Sequence, residues 1–344
     1  MPCYHPLDAW QTQEGEIHFH QKGTQGKKGR FIKPPNYRRQ LDLPCGRCVG
    51  CRIDKAKQWA VRIMHEAQQH EKNSFITLTL SNKTLDARAL EKNQKRTHAE
   101  DARTRIDTIE KRDIQLFVKR LRKYKNTAAG LAPDGASPLA ENKIKYYAVG
   151  EYGEKENRPH YHAAIFGENF TDDKIPWRTS PAGFPLWRSP TLEKLWTLGH
   201  AEVGELTFES AAYIARYVMK KINGDKASEH YQRVNPETGE LTWITPEFAL
   251  MSRGGRTGRG IGSAWLTDYR TDVYPNDYVV MNGQKLKPPR YYDKLLEELD
   301  KYAMDDIRID RERKAANNAG DNTPARLAAK EAVAKARLSL SKRQ

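Results

Sequence analysis

No stretch of this sequence is apolar for long enough to span a bilayer, and its mean hydropathy is −0.85. A spanning helix needs about 20 such residues, so an integral membrane protein is excluded. The first residues, Met1-Pro2-Cys3-Tyr4-His5, lack the apolar core of a signal peptide, and export is not expected. The pattern G-x-x-x-x-G-K-[ST] is absent. Gly258-x-Gly260-x-Gly262 has neither the lysine nor the strand–turn–helix setting of a phosphate loop, so no NTPase or helicase domain is expected. No internal repeat occurs. Cysteine is scarce and confined: four in 344 residues, all within the first 51. In a chain without an export signal they are not expected to form disulfides.

What is present in excess is positive charge. Lys+Arg number 59 against 44 Asp+Glu, a net charge of +15, with a pI near 9.5. Such an excess serves solubility or a polyanionic partner, because clustered cations release the counterions condensed on phosphates. Composition alone does not choose between them. The cysteines carry more information. Cys45-Gly-Arg-Cys48-Val-Gly-Cys51 has two-residue spacers that let thiolates converge on one ion, and with Cys3 they would complete a tetrahedral structural zinc site. An iron–sulfur cluster and four unligated thiols are the alternatives.

The periodicity predicts an α+β chain. Ala56, Trp59, Ala60, Ile63, Met64 and Ala67 make one stripe of a helix over 52–70. Phe75–Leu80 alternates as a strand, and residues 81–112 are charge-rich enough to form an exposed insertion. A helix resumes near Asp113 with Ile114, Phe117, Val118 and Leu121 inward and Lys119, Arg120, Arg122, Lys123 and Lys125 outward. Two strands, 145–152 and 160–167, flank the turn 153–159. Proline and tryptophan between 168 and 190 read as loop. A strand over 199–207, a helix over 209–222, a basic glycine loop over 252–262 and a helical, basic tail complete the chain. The corresponding division is 1–72, a Cys-rich module and helix; 73–225, a core; 226–290, a loop-rich basic extension; and 291–344, the tail.

On a strand, His160 and His162 point to the same face, about 7 Å apart at Cα. Glu151 ends the preceding strand, and a hairpin would return its carboxylate to the pair. Two imidazoles and one carboxylate can hold Mg²⁺ or Mn²⁺ with open positions for a phosphate oxygen. His18-Phe19-His20 has the same spacing without such a hairpin, which shows how weak the spacing is alone. On the 209–222 helix, Tyr213 and Tyr217 lie one turn apart, followed by Lys220 and Lys221. They are either packing residues or, over a metal-bearing sheet, two phenol nucleophiles. A phenol with an ordinary pKa of about 10 needs help to attack at neutral pH, and a lysine could stabilise the developing charge.

These motifs, Phe75–Leu80, Arg158-Pro-His-Tyr-His-Ala-Ala-Ile-Phe166 and Tyr213-Ile-Ala-Arg-Tyr217-Val-Met-Lys220, resemble the HUH endonucleases, in particular the replication initiators of gokushovirus-type microviruses. Pro44–Cys48, Tyr146–Gly153 and Phe248–Arg253 with Gly260–Gly262 extend the similarity over most of 43–262. Histidines before tyrosines is the order of replication initiators rather than relaxases.

The resemblance implies a central antiparallel HUH/RRM-like sheet with a tyrosine helix over it. It also implies a rolling-circle enzyme that nicks single-stranded or supercoiled viral origin DNA in the host bacterial cytoplasm. One tyrosine would bind the DNA 5′ end covalently, a host polymerase would extend the 3′-OH, and a host helicase would separate the strands. The implied metal ligands are His160, His162 and, by analogy with related initiators, Glu151. Tyr213, Tyr217 and Lys220 carry the chemistry, since Arg216 stands where a lysine is common. Arg158, Arg216, Lys221, Arg253, Arg256 and Arg259 are the expected DNA contacts. A plasmid initiator or transposase of the same chemistry, a non-catalytic zinc protein binding single-stranded DNA for packaging, and an RNA-binding sheet are the competing readings. The last lacks an aromatic RNA-recognition signature.

Overall fold

The computed structural model describes residues 3–19, 36–94, 107–128, 144–153, 157–217, 221–222, 226–234, 239, 241–254 and 259–341. Contacts divide the chain into two units, Met1–Lys55 with Arg308–Gln344, and Ala56–Ile307. No described helix is long and apolar enough to cross a membrane.

The first unit holds strands β1 (Leu7–Thr12), β2 (Ile17–Phe19) and β3 (Tyr37–Leu43) in an antiparallel sheet of order β2-β1-β3. It also holds the start of helix α1 (Val49–Ala67). Of the His18-Phe19-His20 pair, His18 is on the exposed β2 and lies 3.4 Å from Glu16, while His20 is outside the described residues.

In the second unit follow β4 (Asn73–Leu80), α2 (Asn82–Gln94), α3 (Lys111–Ala128), β5 (Lys145–Tyr152), β6 (Pro159–Phe166), β7 (Ile175–Thr179), β8 (Pro185–Arg188), α4 (Pro190–Leu195), β9 (Gly199–Gly204) and α5 (Phe208–Arg216). Then come α6 (Lys226–Tyr231), β10 (Gln232–Val234), β11 (Leu241–Trp243), β12 (Phe248–Met251), α7 (Ser263–Val273), β13 (Val279–Met281), β14 (Gln284–Leu286), α8 (Arg290–Leu299) and α9 (Lys301–Asn317). Helix α9 runs on into the first unit, where α10 (Pro324–Ser341) ends the described chain.

The architecture is α+β around a seven-stranded antiparallel sheet of order β12-β5-β6-β4-β9-β8-β7. Alternation makes it so: in β4, every second residue from Ser74 to Leu80 is buried, which turns Ile76, Leu78 and Leu80 to one face and Phe75, Thr77 and Thr79 to the other. The first face packs against Ile114, Phe117, Val118 and Leu121 of α3 and Leu192, Leu195 and Trp196 at α4. The second packs Tyr147, Val149, Ala164 and Phe166 against Trp59 and Ile63 of α1 and Ala211 and Ile214 of α5. The histidine strand β6 is therefore central, between β5 and β4.

Four expectations change. Residues 168–190 are not loop but contain β7, β8 and the start of α4; all five residues of β7 are exposed, so no apolar alternation marks it. The ends of 81–112 are not exposed: Leu85 and Ile109 are buried in the main core. The strand near 199–207 stops at Gly204, because Thr207 becomes the N-cap of α5 in a capping box with Ser210. Helix α5 ends at Arg216 with Tyr217 as its C-cap. Lys221 and Ile222 lie beyond it and are not helical, and the Ile222 amide donates to Tyr231 Oη (2.9 Å).

Candidate active site

The register of β5 against β6 brings Glu151 opposite His160 and Val149 opposite His162; β4 contributes Thr79 and Thr77 opposite the same two histidines. Directly opposed residues share a face, so one carboxylate and two imidazoles meet on the α1/α5 side of the sheet. Glu151 Oε1 lies 2.7 Å from His160 Nε2 and 3.0 Å from His162 Nε2. Burial alone would raise the Glu151 carboxyl, but hydrogen bonds and charge from His160 and His162 outweigh it and hold the pKa down at about 2. The carboxylate is thus ionised at any physiological pH.

The outward nitrogens are held as well. His160 Nδ1 lies 3.0 Å from the Arg158 carbonyl oxygen, and His162 Nδ1 lies 3.0 Å from Thr77 Oγ1. Facing a carboxylate, each Nε2 donates its proton in that hydrogen bond. With a cation in the proton's place, an Nδ1–H donated to a carbonyl, as at His160, would leave Nε2 its lone pair for the ion, which is how metal-binding histidines are commonly oriented. The three ligand atoms fall within 4.8 Å of one another. Two imidazole nitrogens and one buried carboxylate oxygen fit a divalent cation such as Mn²⁺ or Mg²⁺, three protein ligands leaving positions for substrate.

Two tyrosines close over this cradle. The ring of Tyr217 stacks on His162 with centroids 5.6 Å apart and 17° between planes, and Tyr213 meets the same imidazole edge-on at 5.2 Å. The phenol rings are 5.0 Å apart, and Phe75 packs against both His162 and Tyr213. Their exposure differs: Tyr213 is 40% exposed and Tyr217 6%. Ile214 and Tyr217 share a buried cluster with Ile261, which seats the end of the basic loop under the tyrosine helix. That end is fixed by Arg62 Nε donating to the Ile261 carbonyl (3.0 Å) and by the Gly262 amide donating to Glu66 (2.7 Å).

Behind the histidines, on the opposite sheet face, Tyr161 Oη donates to Asp113 (2.5 Å) and accepts from the Glu110 amide (2.8 Å), while Asp113 pairs with Arg88 of α2 (2.5 Å). Sequence reasoning missed Thr77, Phe75 and this buried network. The alternation of Phe75-Ile-Thr-Leu-Thr held the signal for the first two, but partners across strands are visible only once the register is known.

The remaining expected residues scatter. Arg158 donates to the Leu80 carbonyl (3.3 Å) and to Asn82, tying the hairpin turn to the end of β4. Arg216, Lys221, Arg253 and Arg259 are exposed, and Lys220 and Arg256 lie outside the described residues. On α3, Arg120 and Arg122 donate to the carbonyls of Leu195 and Ile144, and Lys125 pairs with Glu168 at 2.7 Å, so three of the five residues of that basic face have protein partners.

The four cysteines come together in the first unit. Their sulfurs lie within 4.8 Å of one another, and all are free thiols. Backbone amides of Tyr4 and Cys51 point at Cys48 Sγ (3.4 and 3.5 Å), and those of Cys45 and Cys48 point at Cys3 Sγ and Cys45 Sγ (3.3 Å each). Gly46 sits at φ +72°, the left-handed turn that lets the chain wrap the sulfurs. Burial opposes ionisation of Cys48, but the amides of Cys51 and Tyr4 and the neighbouring thiols bring its pKa down to about 6. Four converging sulfurs met by N–H donors fit a tetrahedral zinc ion.

Fold and site together define an α+β protein whose antiparallel sheet carries a His/His/Glu cradle beneath paired tyrosines. Residues 73–222, from the start of β4 to just past α5, match the family described as replication-associated protein ORF2/G2P. The chain is 31% identical over 322 residues to the replication-associated protein ORF2 of Spiroplasma virus 4, covering 92% of this chain and 87% of that one. It is 29% identical over 295 residues to the replication-associated protein VP4 of Bdellovibrio phage phiMH2K (85% and 76%). It is 27% identical over 272 residues to the replication-associated protein ORF4 of Chlamydia phage 1 (75% and 54%). No solved structure matches. The chain belongs to this family of microvirus-type phage replication-associated proteins.

Proposed function

We propose that this protein initiates rolling-circle replication of a viral genome by nicking and rejoining single-stranded origin DNA through an HUH-type tyrosine mechanism. The observation that carries the reading is the convergence of Glu151, His160 and His162 with both tyrosines packed on one of those histidines. Membership of a phage replication family supports the setting, which would be the cytoplasm of a bacterial host, with single-stranded or supercoiled origin DNA as substrate.

A Mg²⁺ or Mn²⁺ ion on His160 Nε2, His162 Nε2 and Glu151 would polarise a phosphate oxygen and offset the charge that builds on it. The chain's own groups do the rest. A tyrosine Oη attacks phosphorus as the P–O3′ bond breaks; the phenol gives up its proton, O3′ leaves as a hydroxyl, and the 5′ phosphate stays on the tyrosine. The free 3′-OH is then available to a host polymerase, with strand separation left to a host helicase. Tyr213, the more exposed phenol, is suited to the first attack, and Tyr217 to the second. Rejoining reverses the chemistry: a 3′-OH attacks the phosphotyrosine and releases the phenol. Lys220 and Arg216, next to the tyrosines in sequence, are suited to stabilising phenolate or phosphate charge. The cysteine cluster, holding zinc, would fold the N-terminal module rather than take part in the cut.

The test is incubation with single-stranded origin DNA and Mn²⁺, followed by mass analysis. Tyr213→Phe with Tyr217→Phe together are expected to abolish the covalent adduct, while each single change leaves some cleavage. An adduct that survives the double change rejects the assignment, and binding with no adduct in the wild type favours a non-catalytic binding protein.

A further inference from the structure

The β7–β8 hairpin has a composition unlike the rest of the chain. From Lys174 to Arg188 it contains three cations (Lys174, Arg178 and Arg188), three large aromatic side chains (Trp177, Phe184 and Trp187) and no acidic residue. Two of the aromatics are turned out to water: Trp177 is 55% exposed and Phe184 46%. Exposing a tryptophan on an edge strand forgoes much of its burial energy and leaves a sticky surface, which calls for a partner.

The hairpin lies on the same sheet as the cradle. Through β4 and β9 the register runs from His162 to Thr77 to Glu202, and from His160 to Thr79 to His200, so the face that carries the histidines continues toward the hairpin. Arg178 reaches back to Glu202 at 2.8 Å. From β6 to β7 is four strand spacings, about 19 Å. Arg188 sits over Trp177 at 5.1 Å from its centroid. Lys174 sits over Trp187 at 4.6 Å on the other face, where Trp187 opposes Val203 and packs against the main core. Trp177 is the residue at which the β7–β8 pairing slips, since Pro176 and Arg178 oppose the consecutive residues Trp187 and Leu186. Such a bulge re-aims a side chain at a sheet edge.

Exposed aromatic faces beside cations are what unpaired nucleic acid bases and their phosphates recognise. A second protein copy is the less suited occupant, because the hairpin's own charges are all of one sign and a facing copy would bring no acid from its hairpin to meet them. The two ion pairs already present, Arg178–Glu202 and Arg188–Glu193, are partly exposed and weak, so a phosphate can replace the carboxylate at small cost.

We propose that the β7–β8 hairpin is a stacking platform for single-stranded DNA, gripping bases that flank the nicked phosphate about 19 Å along the sheet. The proposal rests on the single-strand reading above but concerns binding alone. It is tested with the full-length protein in chelator, where no cleavage occurs, using a single-stranded oligonucleotide and a duplex of the same sequence. Trp177→Ala with Phe184→Ala is expected to weaken single-strand binding about tenfold or more, at stacking energies of about 1–3 kcal/mol per base. Duplex binding and the slope of log affinity against log salt should hardly change, because no phosphate contact is removed. The melting temperature should also hold, because both rings are exposed. Equal single-strand affinity for wild type and variant would overturn the platform while leaving the nicking reading intact. A wild type that prefers duplex would overturn both. A variant that loses self-association instead of DNA affinity would make the hairpin a contact between copies and reject the proposal.

Discussion

Two clusters in this chain gather metal-ligating atoms within the same 4.8 Å, and they are built in opposite ways. Glu151, His160 and His162 stand on neighbouring strands of a sheet, their geometry set by strand register and by hydrogen bonds to Arg158 and Thr77. Cys3, Cys45, Cys48 and Cys51 stand on turns and a helix start, their geometry set by amides pointing at sulfur. The first set offers three ligands and has two tyrosines against it; the second offers four and has backbone amides pointing at its sulfurs. Three ligands leave room for a substrate, whereas four thiolates fill a tetrahedron. The count of ligands and the identity of the next neighbours, more than proximity, separate a site for chemistry from one for structure.

The comparison can be broken by removing one cluster at a time. The largest effect belongs to His160→Ala with His162→Ala: cleavage of origin DNA should fall by at least a thousandfold, as for loss of a catalytic metal. Affinity for the same oligonucleotide, measured without divalent metal, should stay within a few-fold, since the proposed binding groups, dispersed Lys and Arg and the β7–β8 hairpin, are left in place. Cys48→Ser should do the reverse. Elemental analysis should find zinc lost, and the melting temperature of the purified protein should drop, because a structural ion's binding energy is folding energy. Metal-dependent cleavage per folded molecule should persist; if it vanished while the protein stayed folded, the division of labour would be wrong.

Smaller changes sharpen the contrast. Thr77→Val keeps the strand and removes only the partner of His162 Nδ1. Titration with Mn²⁺ should show affinity about tenfold weaker, and a larger loss is bounded at about a hundredfold. The smallest effect concerns the scaffold. Burial holds the His65 pKa down at about 3, against an ordinary value near 6.5, so the folded protein resists a proton that the unfolded chain accepts. This contribution to stability is complete above pH 6.5. It is lost as pH falls from 6.5 toward 3, at up to about 1.4 kcal/mol per pH unit. Thermal melting between pH 7 and 5 should show that decline, and His65→Gln should flatten it.

Much of the site could be read in the sequence because it is local. Strand β4 announces itself by alternation, and β5 and β6, buried on both faces, by their position either side of the short 153–159 connection, which makes a hairpin that returns Glu151 to His160. That Tyr213 and Tyr217 lie on one helix face follows from their spacing; that they belong to a site was suggested only by the histidine motif and the family resemblance. The remainder depends on long-range register and on edges. Thr77 meets His162 from 85 residues away, and Tyr161, Asp113 and Arg88 form a buried set from three elements that no periodicity links. The β7 strand escaped because both its faces are wet and Pro176 reads as loop, and α5 ends at Arg216 rather than at 222.

The account's central claim is that a tyrosine of α5 becomes joined to DNA at the histidine cradle. Peptide mapping of the product formed with single-stranded origin DNA and Mn²⁺ tests it most directly. The predicted result is a nucleotide phosphate on Tyr213 in the wild type, moving to Tyr217 in Tyr213→Phe, and no such product in His160→Ala with His162→Ala. A phosphate linked to a different residue, or cut DNA with no linked peptide, would contradict it.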